Sequence, residues 1–288
     1  MAERKNPLFH IQVYVRQRPY FKSEIRAKQS PVIKFSSQTE LALEHGANEK
    51  NYIFDKVFGS GASQAEVYDV VVRPLVDSML LGCTCTVFAY GPTGTGKTYT
   101  MVGDTVNPSV DFINDSSVGM VPRAAADIFD KLSRLGVEYN VNVSYVEIYS
   151  EEIRDLLFSD SPSLRIYDDP NNKGATCIKG VSEVPVKNCN ELFEMLMIGA
   201  NYRHIASTNI NRQSSRSHTI FTIVVTIREV TNGEEIVKTG KIHLKPTYDY
   251  PKKINSELSK EVLKKEFKKT LLHETQDNDA NTPRDDDN

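Results

Sequence analysis

Gly91-Pro92-Thr93-Gly94-Thr95-Gly96-Lys97-Thr98 is the stretch that decides the fold of this chain. It matches the pattern G-x-x-x-x-G-K-[ST] at every fixed position, and it follows a run of β-forming residues and precedes the expected start of a helix. In this pattern the glycines turn backbone N–H groups toward phosphate oxygens, Lys97 reaches the β- and γ-phosphates, and the Thr98 hydroxyl ligates Mg²⁺. The stretch therefore predicts a phosphate-binding loop at the end of a strand.

The segments on either side of this phosphate loop (residues 91–98) alternate between helix and strand, as they do in α/β proteins. The spacing of apolar residues predicts three helices, over residues 63–81, 121–135 and 192–205. Runs of β-forming residues predict strands over residues 85–90, 139–148, 219–229 and 237–244. Ser150 and the two acidic residues after it favour a short helix over residues 151–158. The polar stretch 104–119 predicts a long surface loop that either binds a ligand or is merely tolerated.

The composition limits the class of protein. The 288 residues, 39% of them hydrophobic, are enough for one large α/β domain or two small ones. A net charge of only −3 argues against a nucleic-acid binder, and the uncharged stretch 78–96 holds too many glycines for a membrane helix. The first residues show no secretory signal, and the four cysteines match neither a zinc site nor a disulfide framework. We therefore expect an intracellular chain with reduced thiols.

A second polar cluster, Asn211-Arg212-Gln213-Ser214-Ser215-Arg216-Ser217-His218, stands just before the predicted strand 219–229. Its hydroxyls and cations suit a loop that closes on Mg²⁺ and a γ-phosphate. Taken alone, the cluster is also consistent with a serine-rich connecting loop. A phosphate loop by itself does not separate kinases, transporter ATPases, GTPases and motors, so this second cluster is what narrows the class.

Together these motifs make the sequence similar to the kinesin motor domain. The family's phosphate loop is present with its flanks, and its first switch, N-x-x-S-S-R-S-H, is complete from Asn211 to His218. Two further landmarks agree, Val15-Arg16-Gln17-Arg18-Pro19 and Glu147-Ile148-Tyr149-Ser150-Glu151-Glu152-Ile153-Arg154-Asp155-Leu156-Leu157. The resemblance covers residues 7–244, and Asp168-Asp169-Pro170 with the long loop 104–119 resembles the bipolar spindle kinesins.

This resemblance implies a fold and a set of site residues. The fold is a kinesin-like P-loop NTPase core, α/β, with a central, mostly parallel or mixed sheet flanked by helices. The implied cofactors are ATP or ADP with Mg²⁺, held by Gly91, Pro92, Thr93, Gly94, Thr95, Gly96, Lys97 and Thr98. Arg18 and Pro19 flank the adenine on one side and Tyr99 on the other. Thr98 and Ser215 hold the metal, and the implied catalytic residues around the γ-phosphate are Asn211, Ser214, Ser215 and Arg216.

The sequence departs from the family after Leu244. A kinesin continues from this strand into an Asp and then a second switch, D-x-x-G-x-E, whose glutamate pairs with the arginine at position 216. Here the chain reads Lys245-Pro246-Thr247-Tyr248-Asp249-Tyr250-Pro251, and no D-x-x-G-x-E occurs anywhere. The later residues 255–267 resemble a kinesin neck, or are a generic Lys/Glu helix. We therefore expect an incomplete motor core over residues 1–244 and a neck-linker-like, charged tail over residues 245–288.

The resemblance implies a microtubule-stimulated ATPase, a motor protein of the cytoplasm and the cytoskeleton, and of the spindle in mitosis. Loss of the second switch predicts that nucleotide still binds, that hydrolysis is impaired, and that the contact with microtubules is weakened. The alternative is a nucleotide-binding remnant without motor activity. A third possibility, an unrelated P-loop kinase or ATPase, does not explain the complete first switch. We expect no nucleic-acid or membrane partner and, because no heptad array is present, a monomer.

Overall fold

The computed structural model of this protein describes residues 11–27, 32–45, 48–104, 115–158, 163–169, 176–209, 217–231 and 234–246. They belong to two compact units, one within Met1–Val67 and one within Tyr68–Asn288. The phosphate loop and most of the long elements lie in the second unit. Each unit is described by itself below.

The first unit contains two small sheets. Strand β1 (Tyr14–Arg16) pairs in parallel with β5 (Lys56–Phe58), and β2 (Ile33–Phe35), β3 (Glu40–His45) and β4 (Asn48–Ile53) form an antiparallel sheet in chain order. A short helix, α1 (Lys22–Arg26), follows the V-R-Q-R-P landmark. Leu41 and Ala42 on β3 and Phe58 on β5 are buried, so this unit has a small core of its own.

The second unit is built on a mixed six-stranded sheet. Its strands are β6 (Thr84–Ala89), β7 (Glu138–Tyr149), β8 (Glu152–Asp155), β11 (Val184–Val186), β12 (His218–Thr231) and β13 (Glu234–Pro246). The order is β11-β7-β12-β13-β6, with β8 paired to β7, and among the described strands of this sheet only β13 and β6 pair in parallel. β9 (Arg165–Asp168) and β10 (Thr176–Lys179) form a separate antiparallel pair. The predicted α/β fold with a mixed sheet is confirmed.

The parallel pair at the end of this sheet carries the phosphate loop. Leu244 on β13 stands opposite Val87 on β6, and the pairing continues through Lys245 and Pro246, two residues beyond the predicted end of the strand. Lys245 is buried, with its Nζ 5.2 Å from the centre of the Phe88 ring. The carboxyl ends of the two strands therefore lie side by side where the phosphate loop begins, the usual position of a ligand site in such sheets.

Helices cover this sheet. They are α3 (Arg73–Leu80), α4 (Lys97–Met101), α5 (Met120–Leu135) and α6 (Cys189–Asn209), and a further helix, α2 (Gln64–Val71), precedes α3. The prediction of one continuous helix over residues 63–81 is wrong: it breaks at Val72, and Pro74, which has no N–H to donate, stands in the first turn of α3. No helix among the described residues has the length and apolar character needed to cross a membrane.

The predicted helix over residues 151–158 is also wrong. Residues Glu152–Asp155 form β8, which returns along β7 after a two-residue turn in which Ser150 and Glu151 have φ of 48° and 70°. Ile153 on β8 packs into a buried apolar cluster with Val146 and Ile148. This long-range packing and the strand pairing outweigh the local capping signals of Ser150 and the acidic residues.

Candidate functional site

The phosphate loop connects β6 to α4 and has the backbone that its glycines predict. Gly91, Gly94 and Gly96 have φ of 151°, 83° and 90°, a region that residues with a Cβ rarely adopt. At Gly91 a Cβ would also lie 2.9 Å from the Thr95 hydroxyl oxygen. Thr95 closes the loop by donating its hydroxyl proton to the Pro92 carbonyl over 2.8 Å. The glycines are thus required by the path of the loop.

Lys97 lies inside this loop. Only 6% of its surface is exposed, and its Nζ donates to the carbonyls of Gly91 and, over 2.7 Å, of Pro92. A buried ammonium group surrounded by backbone carbonyls is a cation held ready for an anion, because the carbonyls stabilise its charge without neutralising it. These residues therefore fit the β- and γ-phosphates of a nucleotide.

Thr98 and Tyr99 follow Lys97 on α4 and are exposed to solvent. The Thr98 hydroxyl is a hard oxygen ligand of the kind that Mg²⁺ prefers, at the side of the loop where a bound phosphate would supply further oxygens. Ser215, the second predicted metal ligand, lies outside the described residues, as do Asn211, Ser214 and Arg216. Of the predicted site residues in this part of the chain, the structure thus brings together residues 91–98 and Tyr99.

Arg18 and Pro19, predicted beside the adenine, belong to the first unit. The Arg18 guanidinium makes two hydrogen bonds of 2.8 and 2.6 Å to the Glu24 carboxylate and stacks 4.1 Å from the centre of the Phe21 ring. The hydrogen bond from Arg18, followed by the Phe21 N–H, lowers the pKa of Glu24 to about 2. These contacts fix the planar, charged guanidinium of Arg18. Its role beside the adenine base stays a prediction.

The last two residues of the N-x-x-S-S-R-S-H motif, Ser217 and His218, are described, and both are buried. Arg203 on α6 donates from Nε and from one terminal nitrogen to the Ser217 hydroxyl, over 3.3 and 3.2 Å. The Arg203 Nε also lies 3.5 Å from Oε1 of Glu147 on β7, and the two side chains are only 13% and 8% exposed. A buried ion pair thus stands at the end of this motif.

The sequence analysis missed Arg203. The signal was weak: a single arginine in a helix, eleven residues before Ser214, with no spacing rule to connect it to Glu147. Burial and the positive charge of Arg203 lower the pKa of His218 to about 4, so that its ring is neutral at pH 7. The charge at this end of the motif is therefore carried by Arg203 and Glu147.

The stem of the predicted loop 104–119 is closed where it meets α5. Gly103 forms a bridge with Val118, and a Cβ on Gly103 would lie 2.4 Å from the Ser117 carbonyl oxygen. Arg123 on α5 donates to the carbonyls of Val118 and Asp115 over 2.9 and 3.1 Å. The stem is thus fixed to the helix, and residues 105–114 lie outside the described part of the chain.

Comparison with known proteins identifies the family that these motifs resemble. A model of the kinesin motor domain matches residues 16–245. The chain is 43% identical to Kinesin-like protein Klp61F of Drosophila melanogaster over 241 residues, 82% of this chain and 23% of that relative. It is 43% identical to Kinesin-like protein KIF11-A of Xenopus laevis over 247 residues, again 82% and 23% of the two chains. Identity to Kinesin-like protein KIN-5C of Arabidopsis thaliana is 39% over 254 residues, 82% and 25% of the two.

A solved structure described as that of a fast kinesin is similar as well. It superposes with a TM-score of 0.75 at 33% sequence identity, over 88% of this chain and 71% of that one. The present chain spans about a quarter of the length of the curated relatives it matches.

Proposed function

This chain belongs to the kinesin motor domain family, and from that premise we propose that it is an ATP-binding, microtubule-directed motor protein whose ATP turnover is impaired. The match over residues 16–245 confirms the resemblance predicted from the motifs. Nucleotide binding is assigned to residues 91–98, with Thr98 and Ser215 as the ligands of Mg²⁺. Asn211, Ser214, Ser215 and Arg216 are assigned to the γ-phosphate, and Arg18, Pro19 and Tyr99 to the base.

The observation that carries nucleotide binding is the burial of Lys97 against the carbonyls of Gly91 and Pro92. When a nucleotide binds, its phosphates supply the oxygens with which Lys97, the loop N–H groups and Mg²⁺ interact, and the metal neutralises charge on those oxygens. This chain's own part is to hold the phosphates in place and to keep Lys97 charged and oriented toward them. Both tasks are local to residues 91–98.

Impaired turnover is inferred from the end of β13. Phosphoryl transfer in P-loop proteins uses an acidic residue at this edge of the sheet and a second switch that senses the γ-phosphate. Here β13 ends in Lys245 and Pro246, opposite Phe88 and Ala89, and no D-x-x-G-x-E follows. Because a buried cation replaces an acid beside the phosphate loop, and because Arg216 has no such glutamate to pair with, hydrolysis should be slow.

The partner we propose is the microtubule, through a weakened interface, and the place we propose is the microtubule cytoskeleton, including the spindle. The support is the family match, together with the seven lysines against four acidic residues in 246–273, which suit an acidic filament surface. We propose a monomer, because the sequence contains no heptad array. A second candidate, a nucleotide-binding remnant without motor activity, is favoured by the missing second switch.

The test is nucleotide binding and steady-state ATP hydrolysis by the purified chain, with and without microtubules, beside a Lys97→Ala variant. We expect Mg²⁺–ADP to bind, hydrolysis to be slow, and both to be lost in the variant. Brisk, microtubule-stimulated turnover that Lys97→Ala abolishes would contradict the impairment. Absence of nucleotide binding in the unmodified chain would contradict the proposal as a whole.

A further inference from the structure

Arg203 on α6, Glu147 on β7 and Ser217, the residue before β12, form a buried polar cluster in the second unit. We propose that Arg203 and Glu147 are positioning residues for recognition of the γ-phosphate, acting through Ser217. The inference rests on the proposed function, because it takes the phosphate loop to hold the nucleotide. What it adds is a role for two charged side chains, one of which, Arg203, belongs to none of the sequence motifs.

The cluster exists because α6 lies unusually close to β7. A Cβ on Gly199 would lie 2.1 Å from Cδ1 of Tyr145, so that any other residue there would force the Tyr145 ring to move. Four residues along a helix advance about 6 Å, and two residues along a strand advance about 6.6 Å. The spacing from Gly199 to Arg203 along α6 therefore nearly equals the spacing from Tyr145 to Glu147 along β7. Arg203 contacts Glu147 just as Gly199 contacts Tyr145.

The ion pair fixes the Arg203 side chain. Its guanidinium is planar and rigid, and the Nε that lies 3.5 Å from Oε1 of Glu147 also donates to Ser217, so the ion pair with Glu147 fixes the direction of Nε and of the terminal nitrogen beside it. Those donors meet the Ser217 hydroxyl, which is only 1% exposed. Because the pair is buried, moving either partner would leave a charge without compensation, which makes the arrangement stiff.

Ser217 stands two residues after Ser215, which the proposed function assigns to Mg²⁺ and the γ-phosphate. Two residues of chain span at most about 7 Å in any conformation, so the position of Ser217 limits where Ser215 can lie. ATP has a γ-phosphate and ADP does not, so a positioning role predicts a selective effect. Loss of the cluster should weaken binding of an ATP analogue and leave ADP, held by the phosphate loop, unchanged.

The test compares Ser217→Ala with Thr222→Val. Each variant removes one buried hydroxyl group, at the residue before β12 in Ser217→Ala and within β12 in Thr222→Val, where the Thr222 hydroxyl bonds the His243 ring nitrogen over 2.9 Å. Calorimetry with Mg²⁺–ADP and with Mg²⁺–AMPPNP, a non-hydrolysable ATP analogue, gives the ratio of the two affinities for each protein. We expect Ser217→Ala to weaken AMPPNP about fivefold to tenfold and ADP less than twofold, with the ratio unchanged in Thr222→Val.

A second variant, Arg203→Lys, keeps the charge beside Glu147 but loses the planar fork, and it should shift the ratio in the same direction. A purely structural role for the cluster would lower the melting temperature of Ser217→Ala and Thr222→Val alike and leave both ratios unchanged, which overturns the inference. If the unmodified chain binds ADP but not AMPPNP, the inference also fails while the phosphate loop stands. If it binds neither nucleotide, the proposed function itself has failed.

Discussion

Lys97 and Arg203 are both largely buried cations of the second unit, and they are held in different ways. Lys97 is held by its own loop, through carbonyls five and six residues earlier in the chain. Arg203 is held by Glu147, 56 residues before it, and by Ser217, 14 residues after it. The Lys97 site requires only that residues 91–98 adopt their loop conformation. The Arg203 site forms only when a sheet strand and a long helix have already packed together.

This contrast suggests how loss of the second switch would act. A locally built site keeps its geometry when distant parts of the fold change, so phosphate binding should survive. A site assembled by packing depends on every element that holds α6, β7 and β12 in place. We therefore expect perturbations of packing to disturb the Arg203 site more than the Lys97 site.

Gly240→Ala should have the largest effect. A Cβ at this position on β13 would lie 1.7 Å from the Met79 carbonyl oxygen on α3, a backbone atom that cannot move without its helix. We expect a loss of more than about 3 kcal/mol in the free energy of unfolding, measured in urea. Gly61→Ala is the control, because a Cβ there has no neighbour within 4 Å. Equal stabilities of the two variants would show that α3 is free to shift.

Lys97→Ala should separate binding from folding. Removing the cation that we assign to the β-phosphate should lower the affinity for Mg²⁺–ADP about 10-fold to 100-fold, with unfolding changed much less. Lys131→Ala is a matched control, since it removes a lysine of the same unit that pairs with Asp77 and Asp127 away from the loop. A similar loss of ADP affinity in both variants would mean that Lys97 acts through stability alone.

His218, beside Arg203, should make the stability of the chain sensitive to acid. The pKa of His218 is lowered to about 4, below its ordinary value of 6.5, so the unfolded chain takes up a proton first as the pH falls. Its contribution to stability is complete above pH 6.5 and is lost between pH 6.5 and 4. Relative to His218→Gln, the unmodified chain should lose about 2 kcal/mol between pH 7.5 and pH 5. Parallel curves of unfolding free energy against pH for the two proteins would contradict the lowered pKa of His218.

Gly199→Ala should disturb the Arg203 site and spare the phosphate loop. Its Cβ would overlap the Tyr145 ring, but a ring can adjust and alanine favours helices, so we expect a net loss of only about 1–2 kcal/mol. The affinity for Mg²⁺–AMPPNP should fall and that for Mg²⁺–ADP should hold. An equal loss of affinity for both nucleotides would contradict the separate roles proposed for Arg203 and Lys97.

Glu151→Gly should stabilise the hairpin that ends β7. Glu151 has a φ of 70° in the turn between β7 and β8, a conformation that glycine adopts without strain. The expected gain is up to about 1 kcal/mol in thermal or urea unfolding. Glu152→Gly, at the first position of β8, is the matched control and should destabilise the chain instead.

Sequence reasoning succeeded where structure is local. The phosphate loop, the strand before it and the hairpin of β12 and β13 all follow from short-range signals. β12 and β13 pair as far as Thr231 and Glu234, and the residues between them, Asn232-Gly233, which lie outside the described part of the chain, are a dipeptide typical of hairpin turns. It failed where packing decides. The capping signals at Ser150 lost to the pairing of β8 with β7, and no local rule connects Arg203 with Glu147.

We expect the phosphate loop still to hold ATP while the departure after Leu244 prevents its rapid hydrolysis. A single-turnover experiment tests it most directly, with the chain in excess over γ-³²P-labelled Mg²⁺–ATP and with bound nucleotide and released phosphate measured in the same samples, in the presence of microtubules. We expect ATP to bind and to be recovered largely unhydrolysed over many seconds. Rapid conversion of the bound ATP to ADP and phosphate would contradict it, because the acid and the second switch would then be unnecessary.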